Sequence, residues 1–155
     1  MKTFRTIVPG ERAPFGIAHT DRTLLIGSCF TEHIGERLAA GKFPTLANPN
    51  GIVYNPVSIA RSLHALQQSD YEPETALFEH AGLWHSWEYH GRFSHPDRDT
   101  AAEKIRVAHR QAAAFLQTAN RLLLTLGTAE VFALRETGQV VANNHKVPVD
   151  RFEQR

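Results

Sequence analysis

Apolar residues fall into runs and stripes that predict alternating strands and helices. The run 24–27 is continuously apolar and ends in Gly, as is typical of a buried strand in a parallel sheet. From Phe30 to about Gly41 the apolar positions recur at helical spacing, and Gly41 is suited to cap the C-terminus of a helix. We therefore expect a strand, a tight turn and a helix in succession, which is the start of a β-α unit.

Two further helices are predicted by capping signals that precede apolar stripes. Asn55 suits an N-cap, and Pro56 suits the first position of the helix that follows. Thr100 and Glu103 form a Thr-x-x-Glu capping box, which predicts a long amphipathic helix from there to about Asn120. Each helix has one apolar face and is expected to pack against a sheet.

Other apolar segments predict additional strands. We expect a second strand at 42–46, a third buried strand at 122–127, and a hairpin that turns at Thr137 and Gly138. Around Gly82 we expect short strands or an ordered excursion. Residues 1–20 predict a lead-in segment with one short strand at 4–8. Strands that alternate with helices indicate an α/β fold, in which ligands bind beyond the carboxyl ends of the parallel strands.

Composition and charge narrow the class of protein. The chain has 155 residues and is 42% hydrophobic, which suits a single domain at 1–155. Its 17 basic and 16 acidic residues include no basic run, so nothing favours binding to nucleic acid or to an anionic membrane. No segment reaches the roughly 20 apolar residues of a membrane helix, and residues 1–5 lack a signal-peptide core. We expect a cytoplasmic protein that acts on a small molecule. No cofactor is expected, because the Gly-containing loops match neither a Walker A nor a dinucleotide motif.

Cys29 is the only cysteine, so its thiol cannot form an internal disulfide and is available for chemistry. If a helix begins near Cys29, the first amides of that helix favour the thiolate and can stabilise an oxyanion. His33 lies one helical turn further on and can reach back over the sulfur. Ser28 is either the competing nucleophile or an N-cap. The alternative is that Cys29 is a small buried hydrophobe, Ser28 a cap and His33 a solvated helix residue.

Four histidines recur every five residues and raise the question of a metal site: His80, His85, His90 and His95. Five-residue spacing matches neither one face of a helix nor one face of a strand, and no cysteine or paired carboxylate joins them. We therefore expect no metal there, and we interpret the segment as an aromatic and polar cover or as surface packing. His145 follows an Asn pair in a predicted loop, where it is a surrogate base, a substrate contact or a residue bonded to backbone.

The turn and several later segments resemble a known family. Gly27-Ser28-Cys29-Phe30 resembles the signature of the GSCFA-domain family, with Thr31 where the family has Ala. Segments 48–56, 84–87, 91–95, 125–129 and 141–148 resemble its later blocks in the same order. The resemblance covers almost the whole chain and implies a bacterial GSCFA domain.

The GSCFA family is grouped with the SGNH hydrolases, which are esterase-like α/β proteins with a nucleophile after the first strand. The resemblance implies a three-layer sandwich with a mainly parallel sheet, of the SGNH or flavodoxin-like type. It aligns Cys29, rather than Ser28, with the nucleophile, and Gly51 with an oxyanion donor. Gly127 and Thr128 take the place of a block in which the superfamily has Gly followed by Asn. Substrate or oxyanion contacts are thus expected at Gly27, Gly51, Asn55, Gly127 and Thr128.

The superfamily's Asp-x-x-His block has no counterpart before Arg155, so the resemblance implies an N-terminal portion that is incomplete at its C-terminus. We expect exposed apolar surface on the sheet, through which copies of the chain associate. The expected activity is hydrolysis or transfer of ester or acyl groups by a nucleophile in the turn. The alternative is a non-catalytic binding or scaffold fragment of the same fold that associates with a partner.

Overall fold

The computed structural model describes residue 10 and the ranges 13–68, 71–72 and 77–155. The strand predicted at 4–8 lies outside these residues. The helices in the described ranges are α1 (Cys29–Ala40), α2 (Pro56–Ala65) and α3 (Arg98–Leu116). The strands are β1 (Thr23–Gly27), β2 (Thr45–Ala47), β3 (Leu77–His80), β4 (Leu83–Ser86), β5 (Arg121–Thr125), β6 (Phe132–Leu134), β7 (Val140–Val141) and β8 (Phe152–Gln154). Short 3-10 helices span Gly91–Phe93 and Val149–Arg151.

Three parallel strands form the central sheet in the order β2-β1-β5. β1 is paired on both sides, since Leu24 lies opposite Leu46 of β2 and opposite Leu122 of β5. All of β1 is buried, as its continuous apolar run predicts. Helices that connect parallel strands confirm the predicted α/β fold.

Helices cover both faces of the central strand. Leu24 and Ile26 point to the face on which α2 and α3 pack, and they share a core with Ile59 and Ala112. α1 packs on the opposite face, where Gly35 lies so close to the methyl group of Ala47 that a β-carbon at position 35 would overlap it. Because successive strand residues point to opposite faces, β1 reaches both helix layers.

The caps of two helices follow the sequence signals, and the cap of the third does not. Gly41 caps α1, and the Asn55 side chain accepts a 2.8 Å hydrogen bond from the Ser58 amide at the start of α2. The predicted start of α3 at Thr100 is wrong. Asp97 is the N-cap and accepts hydrogen bonds from both the amide and the hydroxyl of Thr100, at 2.8 and 2.6 Å. A carboxylate accepts both bonds, whereas a Thr hydroxyl at the cap would have accepted one.

β5 lies at the edge of the central sheet and is not the fully buried strand that its apolar run predicts. Leu122 and Leu124 are 48% and 45% exposed. Both share the sheet face of Leu24 and Ile26, but within the described residues no strand pairs with the outer side of β5. The strand therefore presents apolar side chains to solvent, in agreement with the exposed apolar sheet surface that the sequence predicts.

Antiparallel pairs make up the remaining strands. β3 and β4 pair across the turn at Ala81 and Gly82, and β6 and β7 form the predicted hairpin around Thr137 and Gly138. β8, which the sequence did not predict, pairs with β6. A second core joins these elements and consists of Trp87, Leu134, Val141, Val147 and Phe152. None of the helices in the described ranges is both long and apolar enough to cross a bilayer.

Candidate functional site

The turn after β1 is fixed by two hydrogen bonds with the loop between β2 and α2. The Gly27 amide donates to the Asn48 side-chain oxygen at 2.9 Å, and the Gly27 carbonyl accepts from the Val53 amide at 3.0 Å. Only glycine fits here, because a β-carbon at position 27 would overlap the carbonyl and hydroxyl of Thr125 and would lie 2.9 Å from the Thr31 hydroxyl. The turn is thus packed closely against Thr125 at the end of β5.

Ser28 occupies the N-cap position of α1, but its side chain makes no capping hydrogen bond. Instead its amide lies 3.1 Å and its hydroxyl 3.2 Å from the hydroxyl of Thr125. The buried Thr31 hydroxyl is bonded to the same atom of Thr125. Ser28 is therefore held against β5.

Cys29 is the first residue of α1, and its free thiol is exposed. The first helical hydrogen bond runs from the Glu32 amide to the Ser28 carbonyl at 3.3 Å. The amides of Cys29, Phe30 and Thr31 lie ahead of this hydrogen-bond ladder, at the positive end of the helix dipole. The thiol thus stands beside backbone donors that can bind a developing oxyanion.

His33 lies on the same side of α1 as Cys29, with a side chain that is 74% exposed. Its Nδ1 atom is 3.4 Å from a carboxylate oxygen of Glu36. The helical spacing of Cys29, His33 and Glu36 places them along one stripe. In the part of the chain that the structure describes, no hydrogen bond joins His33 to the Cys29 sulfur.

Asn48 clamps the turn, although the sequence did not single it out. Its side chain is fully buried, accepts from Gly27, and donates to the Ser28 carbonyl at 3.4 Å. Arg92 donates to the Asn48 carbonyl and to Glu32 of α1, the latter at 3.0 Å. The density of turn residues at 48–51 was the sequence signal that could have pointed to Asn48. In the structure Asn48 adopts a left-handed φ of 47°, which Asn tolerates.

The backbone amides expected to bind an oxyanion already have carbonyl partners. The Gly51 amide donates to Asn48 at 2.8 Å. The Gly127 and Thr128 amides donate to the Tyr54 carbonyl, at 2.8 and 3.3 Å. Asn55 uses its side-chain oxygen to cap α2 and its nitrogen to donate to the Val141 carbonyl at 3.4 Å. These residues thus brace the loops around the turn.

Gly51 and Gly127 are required by close packing at those loops. Gly51 has a φ of 83°, and a β-carbon there would overlap the side chain of His90. At Gly127 a β-carbon would lie 2.7 Å from the Tyr54 ring. Both glycines therefore bring loop backbone and side chains together beyond the sheet.

His145 lies within the antiparallel region. Its Nε2 atom donates to the Ser86 carbonyl at 2.8 Å, and its ring centre is 4.4 Å from that of His85. Burial lowers the pKa of His145 to about 4, so the ring is neutral at physiological pH. No hydrogen bond links His145 to 27–33 among the residues described.

The histidines at 80–95 make protein contacts of their own. His85 is hydrogen-bonded through both ring nitrogens, to the Ser94 hydroxyl at 2.7 Å and to the His80 carbonyl at 3.1 Å. His95 accepts from the Asp97 amide at 3.0 Å. Across the described ranges, no group of three or more His, Cys, Asp or Glu side chains is placed to hold a metal ion.

A parallel sheet whose first strand delivers an exposed thiol to a helix N-terminus defines an α/β protein with a candidate nucleophile turn. The model of the GSCFA family matches residues 22–155, so the chain belongs to the GSCFA family. No curated protein and no solved structure gives a significant match to the chain.

Proposed function

We propose that this protein is an SGNH-like hydrolase or acyltransferase of ester or acyl groups, with Cys29 as the nucleophile. The observation that carries the proposal is the exposed Cys29 thiol at the first position of α1, directly after β1. The Ser28 hydroxyl is engaged with Thr125, which leaves Cys29 as the accessible nucleophile of the turn.

The reaction begins with attack of the Cys29 sulfur on the acyl carbonyl carbon. A carbon–sulfur bond forms, and the negative charge on the carbonyl oxygen is stabilised by the amides at the start of α1. The bond to the leaving alcohol then breaks, and the proton from the thiol passes to the departing oxygen. Water cleaves the thioester in a hydrolase, and an acceptor nucleophile does so in a transferase.

His33 is the proposed proton carrier. Nδ1 lies 3.4 Å from a Glu36 carboxylate oxygen, so Nδ1 carries a proton, and in the neutral ring Nε2 is the nitrogen that can accept one. A base oriented by a third group is the usual arrangement beside an activated nucleophile. A change of side-chain rotamer at the exposed His33 would bring Nε2 toward the sulfur.

Intact-mass analysis after reaction with p-nitrophenyl acetate tests the proposal. We expect one acetyl adduct on the native chain, no adduct on Cys29→Ala, and a retained adduct on Ser28→Ala. An adduct that persists in Cys29→Ala, or one lost only in Ser28→Ala, would contradict the assignment of the nucleophile.

A second candidate function is that of a non-catalytic scaffold that associates with another copy of the chain through β5. The exposed Leu122 and Leu124 favour it. In an antiparallel pair of β5 strands with Leu123 on the two-fold axis, Leu122 faces Leu124 and Arg121 faces Thr125, so no like charges oppose one another.

Sedimentation over a range of concentrations separates the two candidates. A scaffold forms a dimer that Leu124→Lys abolishes and that Val149→Lys, at an exposed apolar position in a 3-10 helix, leaves intact. A monomer at every concentration that forms the acetyl adduct contradicts the scaffold.

A further inference from the structure

We propose that a groove beside the β6–β7 hairpin binds a short-chain carboxylate, with the carbon chain at one end and the carboxylate between the middle of the groove and its other end. Two adjoining cavities of about 340 and 530 Å³ form this hairpin groove. They share three lining residues, His90, Asn143 and Asn144. The groove therefore has a middle and two ends of different chemistry.

The smaller cavity holds most of the large apolar side chains of the groove: Ile52, Phe132, Val141 and Ala142 line it, together with the ring of Tyr54. Besides the three shared residues, Asn55, Thr128 and Glu130 are its polar lining residues, and the Glu130 carboxylate accepts a hydrogen bond from the Gln154 side chain at 2.7 Å. Small-molecule sites are mostly apolar, with a few polar groups that fix orientation. A chain of several methylene groups suits this end of the groove.

The middle of the hairpin groove supplies hydrogen-bond donors. The side-chain oxygen of Asn143 accepts from the His145 amide at 2.8 Å, and that of Asn144 accepts from the Lys146 amide at 3.2 Å. These bonds assign the oxygen of each side chain to the loop, so both amide NH2 groups are left as donors, and neither has a partner among the described residues.

His90 adds a third neutral donor. Its Nδ1 atom accepts from the Arg92 amide at 3.3 Å, so the proton of the neutral ring is on Nε2. Nε2 makes no hydrogen bond within the described part of the chain. Three side chains in the shared part of the groove can therefore donate to one ligand.

The larger cavity adds a single positive charge. Lys146 lines it, and no Asp or Glu is among its described lining residues, whereas Glu130 lines the smaller cavity, where it is hydrogen-bonded to Gln154. The neighbouring guanidinium of Arg92 is already bonded to Glu32 and to the Asn48 carbonyl. Neutral donors with one ammonium group match the charge of a carboxylate better than that of a phosphate dianion, for which Arg clusters are typical.

Backbone conformation at this wall supports a binding role. His145 and Lys146 are consecutive residues with left-handed φ angles of 50° and 60°. Such conformations are uncommon for residues other than Gly, and they concentrate at ligand-binding sites. The loop keeps this conformation through the Asn143 and Asn144 bonds, which also orient the donors.

Calorimetric titration with sodium hexanoate tests the proposal on the whole chain. Hexanoate is expected to bind at least about tenfold more tightly than hexanamide, because a charged acceptor strengthens the hydrogen bonds. Inorganic phosphate is expected to bind more weakly than hexanoate. Because hexanoate cannot acylate Cys29, the result is independent of the proposed acyl transfer.

Two variants with a matched control locate the site. Lys146→Gln removes the ammonium group, and Asn144→Asp keeps the loop hydrogen bond but replaces the NH2 donor with an acceptor. Each is expected to weaken hexanoate binding by about tenfold or more. Lys42→Gln is the control, since Lys42 is exposed, has a φ of 64°, and lies outside the groove.

Three results would overturn the proposal. One is hexanamide binding as tightly as hexanoate, or no hexanoate binding at its solubility limit. Another is an equal loss of affinity in Lys42→Gln and Lys146→Gln. The third is tighter binding of phosphate than of hexanoate, which would indicate an inorganic anion site. Comparison of ligands on the native chain decides the matter even if a variant fails to fold.

Discussion

The hydroxyl of Thr125 lies within hydrogen-bond distance of both the amide and the hydroxyl of Ser28. The two residues are far apart in sequence and meet because β1 and β5 are parallel neighbours, with Gly27 opposite Thr125. Thr125 also bonds to Thr31, so one side chain at the end of β5 fixes the turn and the first turn of α1. Cys29 therefore lies in the chain between Ser28 and Thr31, which are both hydrogen-bonded to Thr125.

Thr125→Val should destabilise the fold by about 1–3 kcal/mol, because it leaves the Ser28 amide and the Thr31 hydroxyl without their partner. Thr125→Ser keeps the hydroxyl and should lose less. Urea unfolding followed by circular dichroism measures both. A Val variant as stable as the native chain would mean that water or another group replaces the hydroxyl.

Gly27→Ala should be more damaging, with a loss of more than about 3 kcal/mol, since the added methyl group overlaps a backbone carbonyl that cannot rotate away. Gly16→Ala is the matched control, because among the described residues no heavy atom beyond its chain neighbours lies within 4 Å of a β-carbon at position 16. Urea midpoints of the two variants give the comparison. Equal midpoints would show that β5 moves aside to accept the methyl group.

Local signals predicted the elements that carry the turn. These signals act over only a few residues of the chain, and the structure contains the element that each one predicts. They are the apolar run at 24–27, Gly41 after α1, and Asn55 with Pro56 before α2. The α3 cap was missed because Asp97 and Thr100 both offer capping side chains, and the carboxylate of Asp97 accepts two bonds.

The contacts that hold the turn could not be predicted from sequence, because they join distant segments. Strand pairing and loop packing bring Asn48 and Thr125 to the turn, and they bring Arg92 to the carbonyl of Asn48. Burial of β5 was overestimated for a similar reason. An apolar run reports the preference of the strand, whereas exposure of Leu122 and Leu124 depends on which elements lie beside and above them.

The low pKa of His145 predicts a loss of stability in acid. The ring has a pKa of about 4 in the folded chain and a usual value of 6.5, so between these values the unfolded chain binds a proton that the folded chain does not. Stability from this group is complete above about pH 6.5, falls as pH decreases, and is lost below about pH 4. With solvent screening of the partly exposed ring, the loss is roughly 2 kcal/mol.

His145→Asn removes this titration, and Asn tolerates the left-handed backbone there. Unfolding free energies of the native chain and the variant should converge as pH is lowered from 7 toward 4. His64→Asn, at an exposed position in the last turn of α2, is the control for removal of a histidine side chain. A constant difference between His145→Asn and the native chain across this range would mean that the ring titrates alike in both states.

The stripe formed by Cys29, His33 and Glu36 makes a prediction about the proton carrier. His33→Ala should slow acylation by p-nitrophenyl acetate by about a hundredfold, since general base catalysis typically contributes that much or more. Glu36→Gln keeps the shape of the carboxylate but orients the ring less strongly, and a loss of about tenfold is expected. Stopped-flow release of p-nitrophenolate measures both rates, and His64→Ala is the control histidine on α2.

Added imidazole separates a proton carrier from a structural residue at His33. It should restore part of the acylation rate of His33→Ala, because a small base can occupy the exposed space that the ring leaves beside the thiol. It should not restore that of Cys29→Ala, which lacks the sulfur, beyond the direct reaction of imidazole with the ester. If imidazole accelerates His33→Ala no more than it accelerates the native chain, His33 does not carry the proton. His33 then supports the structure of the helix, and another group is the base.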